Sequence, residues 1–184
     1  MKVVKTYLIF LLIGLLNAIF AEFAIVYEQM IEGYPITILL HTIFISTAFL
    51  INKQYISKIK NKFKEYVSFY FIFGFAGLIV IEWILVGNLI VEPNPLVNLY
   101  VQIFMFSFWA GVVLIPKLLL DNRFSKSYRK SIATQICTLF ALFVGLGAIA
   151  YLISNNFDLW LVGVGVFYIS LNIVFLKHFL KIKK

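Results

Sequence analysis

Charged residues are scarce in this chain of 184 residues, because they make up only 13% of it while hydrophobic residues make up 62%. Soluble domains usually carry roughly a quarter charged residues, so this composition excludes an ordinary water-soluble protein. Cysteine is nearly absent, and the single Cys137 excludes an intramolecular disulfide. The chain is therefore expected to be an integral membrane protein.

The sequence also lacks the short motifs of several enzyme classes. It has no glycine-rich nucleotide-binding loop, no His-Glu-x-x-His, no Gly-x-Ser-x-Gly and no paired cysteines. ATP hydrolysis, zinc proteolysis, serine hydrolysis and disulfide exchange are therefore without support. The sequence predicts no metal site and no cofactor, and it identifies no catalytic residue.

Long apolar runs fill most of the chain. A helix needs roughly 20 apolar residues to cross about 30 Å of hydrocarbon. The predicted spans are residues 6–27, 35–52, 66–87, 96–118, 131–153 and 159–177. The ten-residue alternation of membrane strands is not found. We predict an all-α fold, a bundle of six transmembrane helices that forms one domain over residues 1–184 and leaves no room for a soluble domain.

The net charge of +8 reflects 16 basic and 8 acidic residues, and their positions carry more information than the total. Every basic residue lies near a terminus or in the connections that follow the second and fourth predicted spans. Cytoplasmic loops of membrane proteins carry an excess of Lys and Arg. The pattern therefore predicts both termini in the cytoplasm of a multi-pass cell-membrane protein, with lipids and not nucleic acid as partners.

The first basic connection has a helical pattern of its own. Ile56, Ile59, Phe63 and Tyr66 recur at a spacing of three and four residues, with lysines on the other faces. Such an amphipathic stretch is typical of a helix that lies on anionic lipid.

An internal repeat relates the first two predicted hairpins at an offset of 60 residues. The identical pairs include Gly14/Gly74, Glu22/Glu82, Glu32/Glu92 and Pro35/Pro95. Both hairpins have the same orientation, so the pairs predict a parallel repeat about an axis near the membrane normal.

Small and polar residues predict which face of the first and third spans is turned inward. They recur at helical spacing, so each set lies on one stripe and is expected to face the bundle. The two stripes are Gly14, Asn17, Ala21, Ala24 and Glu28, and Gly74, Gly77, Ile81, Ile84 and Asn88.

The predicted topology brings four polar side chains to a similar depth. With a rise of about 1.5 Å per residue, Glu22, Glu82, His41 and Gln102 all lie in the outer third of the membrane. Ionisable groups at such depth are costly and usually line a cavity or contact one another. We predict a solute or ion site from these four residues with Trp83. Glu28, Glu32 and Glu92 are expected to be loop charges that could form an acidic vestibule.

Three functions fit these residues. The first is binding or transport of a small solute or cation through an outward-facing polar pocket. The second is an intramembrane enzyme in which a protonated glutamate donates its proton to a lipid or isoprenoid substrate as a general acid. An aromatic share of 18% would suit the cationic intermediates of such a reaction. The third is an accessory or immunity protein whose glutamates pair with a membrane protein partner.

Overall fold

A computed structural model describes residues 2–26 and 34–183, apart from the side chains of residues 2, 21–26, 34, 35 and 157. Six helices in this part of the chain are long and apolar enough to cross a membrane. The helical elements are α1 (Lys2–Val26), α2 (Tyr34–Gln54), α3 (Lys62–Phe75), α4 (Pro95–Leu120), α5 (Lys126–Leu139), α6 (Gly145–Ser154) and α7 (Phe157–Lys183). The described residues contain no strand. The all-α prediction is confirmed, and the six apolar helices fit a multi-pass membrane protein.

The outer surface of the bundle is apolar, as contact with lipid requires. Leu8, Leu12 and Leu16 follow one another at single turns along α1, and all three are exposed. Water would be a poor solvent for such a stripe, whereas lipid tails are as apolar as leucine.

The helices extend beyond several predicted boundaries. The fifth span begins at Lys126 and not at residue 131, because Ser125 caps the helix by accepting a hydrogen bond from the backbone N–H of Tyr128. The sixth span continues to Lys183, six residues past its predicted end. In both cases charged side chains occupy an extra helical turn at the basic end of the bundle. The basic end of the bundle is the end formed by residues 55–61 and 121–125, and the acidic end is the end formed by residues 87–94 and 155–156.

The central helix of the bundle is α4, which contacts α1, α2, α3, α5 and α7. Every residue from Ser107 to Leu118 is buried. Pro116 lies inside this helix. Proline lacks the N–H that would bond to the carbonyl of Val112. A Cβ atom at Gly14 of α1 would lie 3.2 Å from that carbonyl oxygen, so a glycine at this position allows α1 to lie close to α4.

The third span changes its helical geometry halfway. α3 continues without a break into a π-helix, Ala76–Val86, which ends at Gly87 with φ of 85°. The π-helix bonds each residue to the fifth one along and is rare, occurring mostly near functional sites. Gly77 and Ile81 of the predicted inward stripe are buried, but Ile84 is 70% exposed. The stripe prediction therefore holds only at the start of this segment.

The first basic connection does not form the surface helix that its spacing predicted. A single 3-10 turn, Ile56–Lys58, is followed by an extended residue, and α3 then starts after the cap Asn61. Ile56 and Tyr66 are buried against the bundle. The apolar residues of this connection therefore contribute to the protein core, and the prediction that they lie on lipid was wrong.

Candidate functional site

A cavity of about 250 Å³ opens between α2, the π-helix and α4 near the acidic end. The lining residues are Thr37, Leu40, His41, Ile81, Glu82, Val86, Asn88, Phe104, Met105, Phe108 and Trp109. We call this space the acidic-end cavity. Two predicted site residues, Glu82 and His41, lie in its wall.

Glu82 is held by two donors from different elements. Its Oε1 accepts a hydrogen bond of 2.7 Å from the indole N–H of Trp109, and its Oε2 accepts one of 3.0 Å from Nδ2 of Asn88. Both partners are neutral, and none of the ion pairs among the described residues involves Glu82. Because a carboxylate offers about four lone-pair positions, the side chain can accept further hydrogen bonds from a ligand in the cavity.

His41 is joined to this carboxylate through the Trp109 ring. The imidazole stacks on the indole at a centroid distance of 4.8 Å and an interplanar angle of 12°, and its Nδ1–H donates to the Thr37 carbonyl at 2.8 Å. Only 3% of His41 and 1% of Trp109 is exposed. Trp109 thus links Glu82 and His41 in the wall of the acidic-end cavity.

Gln102 and Trp83 do not line the acidic-end cavity, but Gln102 is hydrogen-bonded to Asn88, which does. The indole N–H of Trp83 donates to Oε1 of Gln102 at 2.7 Å, and Nε2 of Gln102 donates to the Asn88 carbonyl at 3.0 Å. These bonds fix the turn that carries Asn88, and Asn88 in turn holds Glu82. Gln102 and Trp83 therefore reach Glu82 through Asn88, and their predicted role as ligands stays a prediction.

Among the remaining predicted residues, the structure describes the side chain of Glu92 alone. Glu92 is exposed and does not line the acidic-end cavity. Glu22 belongs to α1, but its side chain lies outside the described residues, as do Glu28 and Glu32. The predicted pairing of Glu22 with Glu82 and the vestibule formed by Glu28 stay predictions.

The acidic-end cavity combines a carboxylate with aromatic walls. Phe108 and Trp109 lie with their ring centroids 5.1 Å apart, and Phe104 completes this side of the wall. A carboxylate is negatively charged, and the face of an aromatic ring carries partial negative charge, so both attract cations. No three His, Cys, Asp or Glu side chains of the described chain cluster as a metal-ligand set. The chemistry of the wall suits an organic cation better than a coordinated metal ion.

A second polar cluster, which the sequence did not identify, lies at the basic end. Glu65 has no exposed side-chain surface, and it accepts hydrogen bonds from Nζ of Lys117 at 2.8 Å and from both terminal nitrogens of Arg123, at 2.7 and 2.9 Å. Asp121 accepts from the side chain of Arg123 and, at 2.6 Å, from the hydroxyl of Tyr66. Lys117 also donates to Oδ1 of Asn52. This four-charge cluster, Glu65, Lys117, Asp121 and Arg123, ties α2, α3, α4 and the following loop together.

The two charged residues of the loop stabilise each other's ionised forms. Burial alone would raise the pKa of Asp121, but hydrogen bonds from Arg123 and Tyr66 outweigh it and hold that pKa below its ordinary value. Hydrogen bonds to Asp121 and then to Glu65 raise the pKa of Arg123 above its ordinary value. The loop after α4 is therefore held most tightly at pH values at which Asp121 and Arg123 are both charged.

Acid should loosen this loop, and the effect should depend on Asp121. A carboxylate whose pKa is lowered by folding stabilises the protein above its unfolded-state pKa of about 3.9, and this stability is lost as the pH falls through the lower folded-state pKa. We expect the melting temperature in detergent to fall more steeply between pH 5 and pH 3 for the wild type than for Asp121→Asn. Asp158→Asn is the control, because Asp158 is exposed at the acidic end. Equal slopes for wild type and Asp121→Asn would contradict the expectation.

No protein-family model matches the chain, and no curated protein or solved structure is significantly similar to it.

Proposed function

We propose that this protein is a multi-pass cell-membrane protein that binds a small organic cation in the acidic-end cavity, as a step in its transport. The observation that carries the proposal is Glu82, a carboxylate inside an apolar span that is hydrogen-bonded by the neutral donors Trp109 and Asn88. A carboxylate within an apolar span is costly without an opposite charge, and a bound cation would supply one. The positive-inside pattern predicts that the cavity opens on the outer face, which supports uptake of a solute from outside.

The size and walls of the cavity narrow the class of ligand. Its volume of about 250 Å³ lies below the range of about 300–1,000 Å³ that is typical of pockets for drug-sized ligands. Cages of aromatic side chains are the usual means of recognising quaternary ammonium groups. A small amine or quaternary ammonium ion fits both features.

The arrangement around Glu82 supports a binding role over acid catalysis. A glutamate that acts as a general acid must carry a proton and donate it. Here both carboxylate oxygens accept hydrogen bonds from N–H groups, so the geometry shows Glu82 as an acceptor and not as a proton donor. The alternative of an intramembrane enzyme with Glu82 as its acid is therefore less well supported.

A matched pair of ligands and a matched pair of variants test the proposal. Thermal unfolding of the detergent-purified protein is measured with choline, with tetramethylammonium and with 3,3-dimethylbutanol, the uncharged analogue of choline. A cation at 100 times its Kd should stabilise the wild type by about 2.7 kcal/mol. Glu82→Gln, which keeps an oxygen to accept from Trp109, should lose this effect.

Glu92→Gln is the control variant, because it makes the same chemical change at an exposed position of the acidic end. It should respond to cations as the wild type does. Equal stabilisation by the uncharged analogue, or an unchanged response in Glu82→Gln, would refute the proposal. Uptake of the stabilising cation into proteoliposomes then tests the transport step.

A further inference from the structure

A cavity of about 530 Å³ lies at the basic end, beside the four-charge cluster. It is bounded by α1, α2, the 3-10 turn, the start of α3 and the end of α4 with its following loop. We call it the basic-end cavity. It is independent of the acidic-end cavity, because the two share no lining residue.

The charged groups in its wall compensate one another. Two carboxylates, Glu65 and Asp121, face two cations, Lys117 and Arg123, so the cluster has no net charge. All three nitrogens of the Arg123 guanidinium donate to these carboxylates. Lys117 is bonded to Glu65 and Asn52, and its Nζ lies 4.8 Å from the centroid of the Tyr66 ring. A free anion would have to displace a carboxylate from its donors, at a high cost in a buried site.

Uncharged hydrogen-bonding groups also remain available in this wall. Asn52 and Asn122 each use Oδ1 to accept from a cation of the protein, Lys117 and Arg129 respectively, and their Nδ2 groups donate to no described residue. Ser57 donates to the Lys53 carbonyl, so its oxygen can still accept. Two amide donors and a hydroxyl acceptor are suited to hydroxyl groups, which both donate and accept.

The floor of the basic-end cavity is apolar. Phe10 lies one helical turn deeper than Thr6 on α1, and Phe49 lies almost one turn deeper than Asn52 on α2. The two rings pack edge to face with centroids 5.4 Å apart. The cavity is therefore polar toward the connections and apolar toward the middle of the bundle, which is the polarity of a lipid at the edge of a membrane.

We infer that the basic-end cavity binds a lipid whose headgroup is uncharged and rich in hydroxyl groups, such as a glycosyl diacylglycerol. Asn52, Asn122 and Ser57 hydrogen-bond the headgroup, while Phe10 and Phe49 contact its apolar face and the first methylene groups. The volume of about 530 Å³ lies within the range typical of ligand pockets.

Native mass spectrometry of the protein in a sugar-free detergent tests this site. Monoglucosyl diacylglycerol, phosphatidylglycerol, phosphatidylethanolamine and free glucose are titrated separately. The glucolipid should bind most tightly. Asn122→Asp keeps the oxygen that accepts from Arg129 but loses the amide donor, so it should raise the Kd for the glucolipid about three- to tenfold. Ser57→Ala should weaken it by a similar factor.

Asn61→Asp is the matched control, because it makes the same exchange at the basic end outside the cavity and keeps the oxygen that caps α3. It should bind the glucolipid as the wild type does. Tighter binding of phosphatidylglycerol or phosphatidylethanolamine would overturn the inference of an uncharged headgroup. Glucose binding as tight as that of the glucolipid would overturn the lipid. Unchanged affinity in both Asn122→Asp and Ser57→Ala would overturn the site.

Discussion

Glu65→Gln is expected to lower the free energy of unfolding by about 3–5 kcal/mol, which is the usual cost of removing one partner of a buried ion pair. The variant leaves Lys117, which is 6% exposed, without its carboxylate. Arg123 suffers less, because its side chain is 39% exposed and keeps Asp121. Unfolding in mixed detergent micelles measures the difference.

A double variant separates the cost of an orphaned charge from the value of the pair. Glu65→Leu combined with Lys117→Met removes both buried charges, and such apolar replacements are often neutral or stabilising. We therefore expect the double variant to be more stable than Glu65→Gln. Glu92→Gln should match the wild type, since Glu92 is exposed. A Glu65→Gln protein as stable as the wild type would show that the four-charge cluster does not hold the basic end together.

Gly77→Ala is expected to destabilise the protein by about 1–3 kcal/mol and to abolish ligand binding in the acidic-end cavity. A Cβ atom at this position would overlap both Cβ and the ring of Trp109. The tryptophan Cβ cannot move away unless the backbone of α4 moves with it. The shift would break the bond from the Trp109 indole to Glu82 and the stacking on His41.

Gly145→Ala, at the first residue of α6, provides the control. No atom lies within 4 Å of a Cβ built at Gly145, so the extra methyl group meets no neighbour. Glycine to alanine in an unstrained helical position usually stabilises by about 0.4–1 kcal/mol. Unfolding and cation-binding measurements on both variants distinguish a steric effect on Trp109 from a general effect of helix propensity. Equal behaviour of the two variants would contradict the role of Gly77.

The bundle itself could be predicted because it depends on the simplest physical signal, the length of apolar runs. Each run of about 20 apolar residues became a helix, and the error was confined to the ends. The predicted third span began at residue 66, one residue too late to include Glu65. That single position made a fully buried carboxylate resemble a loop charge among lysines. Lys117 and Arg123, in turn, were used only as markers of topology.

The acidic-end site was predicted in part, and the part that was missed has a geometric cause. Depth alone brought Glu82 and His41 to one level, since depth depends only on residue count. Trp109 was not recognised as their common partner. In an α-helix, Gly77 and Glu82, which are five positions apart, would point in directions roughly 140° apart around the helix axis, and only one of them could meet Trp109. The π-helix turns Gly77 and Glu82 toward the same face, and both meet Trp109. The sequence carries no clear signal for this change of geometry.

The burial of α4 on all sides has a consequence for the order in which the bundle is completed during synthesis. Domains are made from the N-terminus, so α7 is the last helix to enter the membrane. The pair Glu65–Lys117 lies within the first four spans and can form before that. By contrast, Ser107 of α4 and Tyr70 of α3 both bond to Asn172 of α7. Until α7 arrives, the side of α4 that carries Ser107 faces lipid or a chaperone, and its hydroxyl can bond only within its own helix, to the Ile103 carbonyl. α7 therefore completes a bundle in which the Glu65–Lys117 pair can already hold the basic end together.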